Sequence, residues 1–189
     1  MNHEHIKNYN DICVKLIKSL FTQEFTRSEL IKDEPTPSFP SKYMVQIGLR
    51  NKSYQLSLIL GVTEPSSELL LSEVFALTQD PDERKELAKS ALGELCNTIA
   101  CEFAIISQTV NDFGKLLPTP PLVWITSSKV PDFIEGDGLT GELHREDKVL
   151  HTHISTLPIS SQNTKQDGGN WNPTQSLSIY DPHSFDGDD

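Results

Sequence analysis

The chain has 189 residues, room for one domain with a core large enough to fold unaided. Its 27 acidic residues outweigh 16 lysines and arginines, giving a formal charge of −11 with no basic cluster. That balance argues against a nucleic-acid footprint or binding to an anionic membrane. No apolar run approaches the roughly 18–20 residues of a membrane span. The N-terminus lacks the basic-then-apolar order of a secretory signal. Three cysteines, Cys13, Cys96 and Cys101, are odd in number and lack metal spacing, so a reduced, cytoplasmic protein is expected.

Residues 6–21 place Ile6, Tyr9, Ile12, Cys13, Leu16, Ile17, Leu20 and Phe21 at steps of three and four, the pattern of an amphipathic helix. The prolines between Glu34 and Pro40 break the chain. Tyr43, Val45, Ile47 and Leu49 then share one side of a strand, and Asn51-Lys52 marks a turn. Tyr54–Val62 is nearly continuous in apolar residues, as a central strand is. Ser66-Ser67-Glu68 reads as the start of a helix whose apolar turns run from Leu69 to Leu77.

Asp80 is placed to cap a longer helix, with Pro81 and two acids in its first turn. It is predicted to run to about Gln108, with Gly114 as the break beyond it. Strands follow at Leu122–Thr126, Leu139–His144 and Lys148–Leu157, with the loop Asp132–Gly138 before the second. The last strand alternates as a half-buried antiparallel strand does. From residue 159 the composition turns to Ser, Gln, Asn, Gly and Asp, which predicts a disordered acidic tail carrying −4 of the charge. The expected domain is therefore 1–158 and the tail 159–189. The order α-β-β-α-α-β-β-β describes a single α+β domain with a mostly antiparallel sheet packed against long helices.

The long helix carries the most informative stretch. At about 100° per residue, Ala88, Leu92, Leu95, Ile99, Phe103 and Ile106 form a core face. Ser90, Glu94, Asn97 and Cys101 fall opposite, with Ala100 and Ala104 expected to leave one flank of that polar stripe without bulk. Asn is a poor residue for a helix interior, because its amide competes for backbone hydrogen bonds. Cys96 and Cys101 point about 140° apart and are not expected to pair.

Other constellations are weaker. His144, His151 and His153 lie on neighbouring strands, and His-x-His puts two imidazoles on one face. No carboxylate or cysteine joins them at ligand spacing in the sequence, so solvated strand residues are expected and no metal site is assigned. Gly136-x-Gly138 lacks the strand-to-helix setting of a phosphate loop. Cys101 has no neighbouring base on its helix face to activate it, and Trp124 reads as sheet packing.

The run A-L-G-E-L-C-N-T-I-A from Ala91 resembles the signature helix of the CheC/CheX/FliY chemotaxis phosphatases, whose core is E-x-x-N. Glu94 and Asn97 fill that core. The order of elements to about residue 158 is similar to the single-motif CheX branch, and no second E-x-x-N helix is present. The family usually has Gly four residues after the Asn, where this chain has Cys101. The resemblance implies a phosphatase for the aspartyl phosphate of a CheY-like response regulator in chemotaxis or two-component signalling. In it Asn97 would enter the regulator's site and Glu94 would pair with the regulator's lysine. The chain would carry no cofactor of its own, the Mg²⁺ belonging to the partner, and it would be a homodimer joined through sheet edges. The alternative is a non-catalytic adaptor on the same fold that binds a regulator or flagellar-switch protein.

Overall fold

A computed structural model describes residues 3–32, 41–109, 113–125 and 137–159. The proline break, most of the Asp132–Gly138 loop and all but Ile159 of the predicted acidic tail, with Trp171, lie outside the described residues.

Helix α1 (His3–Phe21) buries Ile6, Tyr9, Ile12, Cys13, Leu16 and Ile17, the spacing that predicts it. Leu20 departs from the stripe and is 52% exposed. Among the described residues seven strands form one sheet: β1 (Arg27–Lys32), β2 (Tyr43–Arg50), β3 (Tyr54–Val62), β4 (Leu117–Pro118), β5 (Leu122–Ile125), β6 (Asp137–Arg145) and β7 (Lys148–Pro158). Their order is β1-β6-β7-β3-β2-β4, with β5 also on β2, and every pairing is antiparallel. The α+β class with a mostly antiparallel sheet is as the element order predicts.

β3 sits between β2 and β7, which accounts for its apolar residues on both faces. Leu56, Leu58, Leu60 and Val62 join the main core, while Ile59 on the other face is buried with Met44 against Trp124. The turn between β2 and β3 does without glycine. Asn51 Oδ1 accepts from the backbone N–H groups of Ser53 (2.8 Å) and Tyr54 (2.9 Å), so a side chain closes the turn.

Between β3 and the long helix the predicted single helix is two short ones, α2 (Glu64–Leu70) and α3 (Ser72–Phe75). α2 begins earlier than Ser66 because Thr63 is its N-cap, accepting from the Ser66 backbone, with Pro65 in the first turn. Ser66 and Ser67 are buried, and Ser66 Oγ donates to the Val149 carbonyl at 2.7 Å, tying α2 to β7. Helix α4 (Pro81–Thr109) starts as expected. Asp80 Oδ1 accepts from the N–H groups of Asp82 (2.8 Å) and Glu83 (3.2 Å). Gly114, past its end, has a φ of 65°, a left-handed conformation that favours glycine.

Two strands have no counterpart in the sequence reading. β1, R-S-E-L-I-K, lies at the sheet edge beside β6, where charged residues are normal and apolar alternation is weak. β4 is two residues long and includes Pro118, which only an edge tolerates. Gly138, expected in a loop, lies within β6.

The reading of β7 as half-solvated is corrected. Leu150 and Ile154 face the helices, yet His151 and His153 on the other face are buried as well, and His144 is half-buried. Burial of His153 holds its pKa down at about 4.

Where α1 meets the sheet, a polar knot reaches from buried Thr152 and Asn10 out to the exposed Ser28. Buried Asn10 donates from Nδ2 to Ser28 Oγ (2.8 Å) and accepts from Thr152 Oγ1 (2.5 Å). Gly141 leaves room for it: a Cβ there would stand 2.7 Å from Asn10 Nδ2 and 2.9 Å from Thr152 Oγ1. Gly141→Ala is expected to cost about 1–3 kcal/mol by overpacking and by disturbing buried hydrogen bonds. Urea unfolding checks this, and an unchanged midpoint would show that the knot yields freely.

Candidate functional site

Helix α4 turns its core face inward as its spacing predicts: Ala88, Leu92, Leu95, Ile99 and Phe103 are buried, and Ile106 is half-buried. Its second buried flank meets α1. There the rings of Tyr9 and Phe103 pack edge to face with centroids 6.3 Å apart, and Cys13, Cys96, Ala100 and Ala104 are buried.

This corrects the expectation for Ala100 and Ala104. Both are buried in the core, so their small size serves helix packing and does not leave an open flank on the polar stripe.

Burial pushes the Cys96 thiol up to about 12 and raises Cys13 as well, which leaves both inert as nucleophiles. All three cysteines are free, and Cys101 is exposed.

On the outer side of α4, Ser90, Glu94 and Cys101 are exposed and Asn97 is half-buried. Glu94 and Asn97 stand three residues apart on a continuous helix, so their side chains are neighbours on its surface. Among the described residues Glu94 has no ion pair and the Asn97 amide has no hydrogen bond. Nearby carboxylates differ. Glu86 pairs with Lys89 at 2.7 Å, and Glu102 with Lys15 of α1 at 2.9 Å. Thr98 Oγ1 donates to the Glu94 carbonyl at 2.9 Å, which turns that hydroxyl back onto the helix.

The sequence reading overlooked Ile105. It lies one turn beyond Cys101 and is 63% exposed, so an apolar residue extends the polar stripe. Its place at i+4 from Cys101 was the available signal.

An amide and a carboxylate held on one helix, with no partner among the described residues, can recognise and orient groups on another molecule. Among the described residues no set of metal ligands gathers on the α4 stripe. Among the described residues, clustered metal-ligating side chains are found on the opposite face of the sheet.

No protein-family model matches this sequence, and the curated proteins give no significant match. Solved structures do match. A CheC-like superfamily protein from Shewanella sp. PV-4 is 15% identical with a TM-score of 0.66, over 83% of this chain and 99% of that one. The chemotaxis protein CheX from Vibrio vulnificus is 13% identical with a TM-score of 0.66, over 82% and 99%. A chain of the CheX–CheY–BeF₃–Mg²⁺ complex from Borrelia burgdorferi is 20% identical with a TM-score of 0.63, over 80% and 97%. The chain has the CheX/CheC-like fold. Within that fold it carries its E-x-x-N residues, Glu94 and Asn97, on the outer face of the longest helix.

Proposed function

We propose that this protein binds a phosphorylated CheY-like response regulator through the outer face of α4 and accelerates loss of its aspartyl phosphate. The observation that carries the proposal is the Glu94–Asn97 pair, without an ion pair or side-chain hydrogen bond among the described residues, on the outer face of a helix of a CheX/CheC-like fold. The solved complex of a CheX with CheY, BeF₃ and Mg²⁺ supports the choice of partner.

The chemistry asks little of this chain. An aspartyl phosphate is an activated acyl phosphate, and the regulator brings its own Mg²⁺ and lysine. What remains is to place a water. The Asn97 oxygen accepts a hydrogen bond from that water while its NH₂ donates to the phosphoryl group, so the attacking oxygen is held in line. A glutamine does comparable work in GTPases. Glu94 forms a salt bridge with the regulator's lysine and so orients the helix; it is a positioning residue and not a general base. Chemistry at this pair requires no cofactor of the chain's own. The setting is the cytoplasm, and no helix among the described residues is long and apolar enough to cross a membrane. A homodimer through the sheet edges completes the proposal.

Glu94→Lys tests the docking contact. It sets like charges against each other, and the interaction it replaces is shared by ground and transition states. Binding to a beryllofluoride-activated regulator, measured by calorimetry, is expected to weaken at least tenfold. Undiminished binding would mean that Glu94 does not meet the regulator's lysine.

A second reading is favoured by one residue. Exposed Cys101 stands where the resembling family has Gly, and extra bulk one turn from Asn97 suits an adaptor that docks without inserting the amide deeply. Such an adaptor binds the regulator or a flagellar-switch protein with no gain in phosphate release.

A further inference from the structure

Glu29 of β1 and Glu142 of β6 are direct partners across the strand pair. Like charges directly opposite on paired strands are destabilising unless other groups compensate them. His144, two residues along β6, shares their side of the sheet, and His151 of β7 is the partner of Glu142. This is the face turned away from α1 and α4, since Leu143 and Leu150, the alternate residues, lie in the helix-covered core.

One ligand atom each from Glu29, Glu142 and His144 lie within 4.8 Å of one another. His144 Nε2 is 2.9 Å from Glu142 Oε2 and 3.7 Å from Glu29 Oε2. Close as it is, this buried nitrogen forms no hydrogen bond to either carboxylate, so the contacts are those of donors gathered around a common point. Ligand atoms about 2.0–2.2 Å from a tetrahedral Zn²⁺ stand about 3.3–3.6 Å from one another, between the two observed distances. His151 Nδ1 lies 3.3 Å from Glu142 Oε1, the other oxygen of that carboxylate, which is how an outer group orients a metal-binding carboxylate.

We propose that Glu29, Glu142 and His144 form a binding site for a divalent transition-metal ion of the Zn²⁺ class, with His151 orienting Glu142 and water completing the coordination. A mixed imidazole–carboxylate set selects such ions over Mg²⁺ and Ca²⁺, which prefer oxygen alone. The ion offsets the facing carboxylates and ties edge strand β1 to β6. The expectation that no carboxylate joins the histidines at ligand spacing is corrected: Glu142, two residues before His144 on β6, lies 2.9 Å from it, and Glu29 reaches them through strand β1.

Calorimetric titration of the full chain with ZnCl₂ in excess Mg²⁺ tests the site. One equivalent is expected to bind, at least tenfold more weakly in Glu29→Gln, a near-isosteric change at an exposed position, and in His144→Ala. Zn²⁺ is expected to raise the melting temperature of the parent and not of Glu29→Gln. Co²⁺ in place of Zn²⁺ should give visible absorption bands that Glu29→Gln loses. Absence of binding to the folded parent overturns the proposal, as does binding that survives both variants or that disappears in Cys101→Ser. Asn97→Ala is expected to bind Zn²⁺ like the parent, so this site and the regulator-directed one stand or fall separately.

Discussion

Asn97→Ala is expected to reduce stimulated dephosphorylation of the regulator on the order of 10²-fold while the protein stays folded. The magnitude follows from what the amide does. If the regulator already holds the Mg²⁺ and lysine, most of the acceleration left to this chain comes from orienting one water. Removing the group that orients it removes most of the effect. The fold should not suffer, because the Asn97 side chain has no hydrogen bond among the described residues and Ala is the better helix former. Circular dichroism and a melting curve establish folding, and release of inorganic phosphate gives the rate. Loss of turnover with regulator affinity kept within a few-fold is the expected pattern, since Asn97 acts mainly in the transition state. A folded Asn97→Ala protein with most of its activity would remove the water-positioning role.

Acidification is expected to destabilise the fold through His153. This imidazole is completely buried on β7, its Nδ1 shares a hydrogen bond with Thr140 Oγ1 at 2.9 Å, and its Nε2 has no hydrogen-bond partner among the described residues. Burial lowers its pKa from 6.5 to about 4. The unfolded chain therefore takes up this proton near pH 6.5 while the folded chain resists it to about pH 4. Stability is full above pH 6.5 and falls as pH drops toward 4, by about 3 kcal/mol for this one group. Urea unfolding between pH 7 and 4 should show a steeper loss for the parent than for His153→Gln, which carries no titrating ring. Parallel slopes would mean that His153 is protonated as readily in the folded state as in the unfolded.

How far the sequence predicts this molecule depends on the kind of interaction involved. α1, β2, β3 and α4 were legible because each buries a periodic apolar set, and Asp80 and Pro81 mark the start of α4 chemically. β1 was not, because an edge strand pairs through its backbone, and Arg27, Ser28 and Glu29 leave no period-two signal. Alternation along β7 correctly separated two faces but could not show that both are buried, since that depends on what lies above the sheet. Ala100 and Ala104 show the same limit within a helix: small residues suit an open surface and a close helix contact equally well. Glu94 and Asn97 were legible as a pair on one helix face through their spacing, and the resemblance alone selected them from other exposed polar residues. Of the Glu29–Glu142–His144 cluster, Glu142 and His144 share a strand face at a spacing the sequence displays, whereas Glu29 joins them only through cross-strand register, which it does not.

The most direct test of the account is the rate of phosphate loss from purified, phosphorylated CheY-like response regulators in Mg²⁺, with and without this protein at catalytic concentration. The account predicts faster loss for at least one regulator, with turnover beyond one equivalent and dependence on Asn97. A regulator that binds the α4 face but loses its phosphate at the unassisted rate would contradict the phosphatase reading and establish the adaptor in its place.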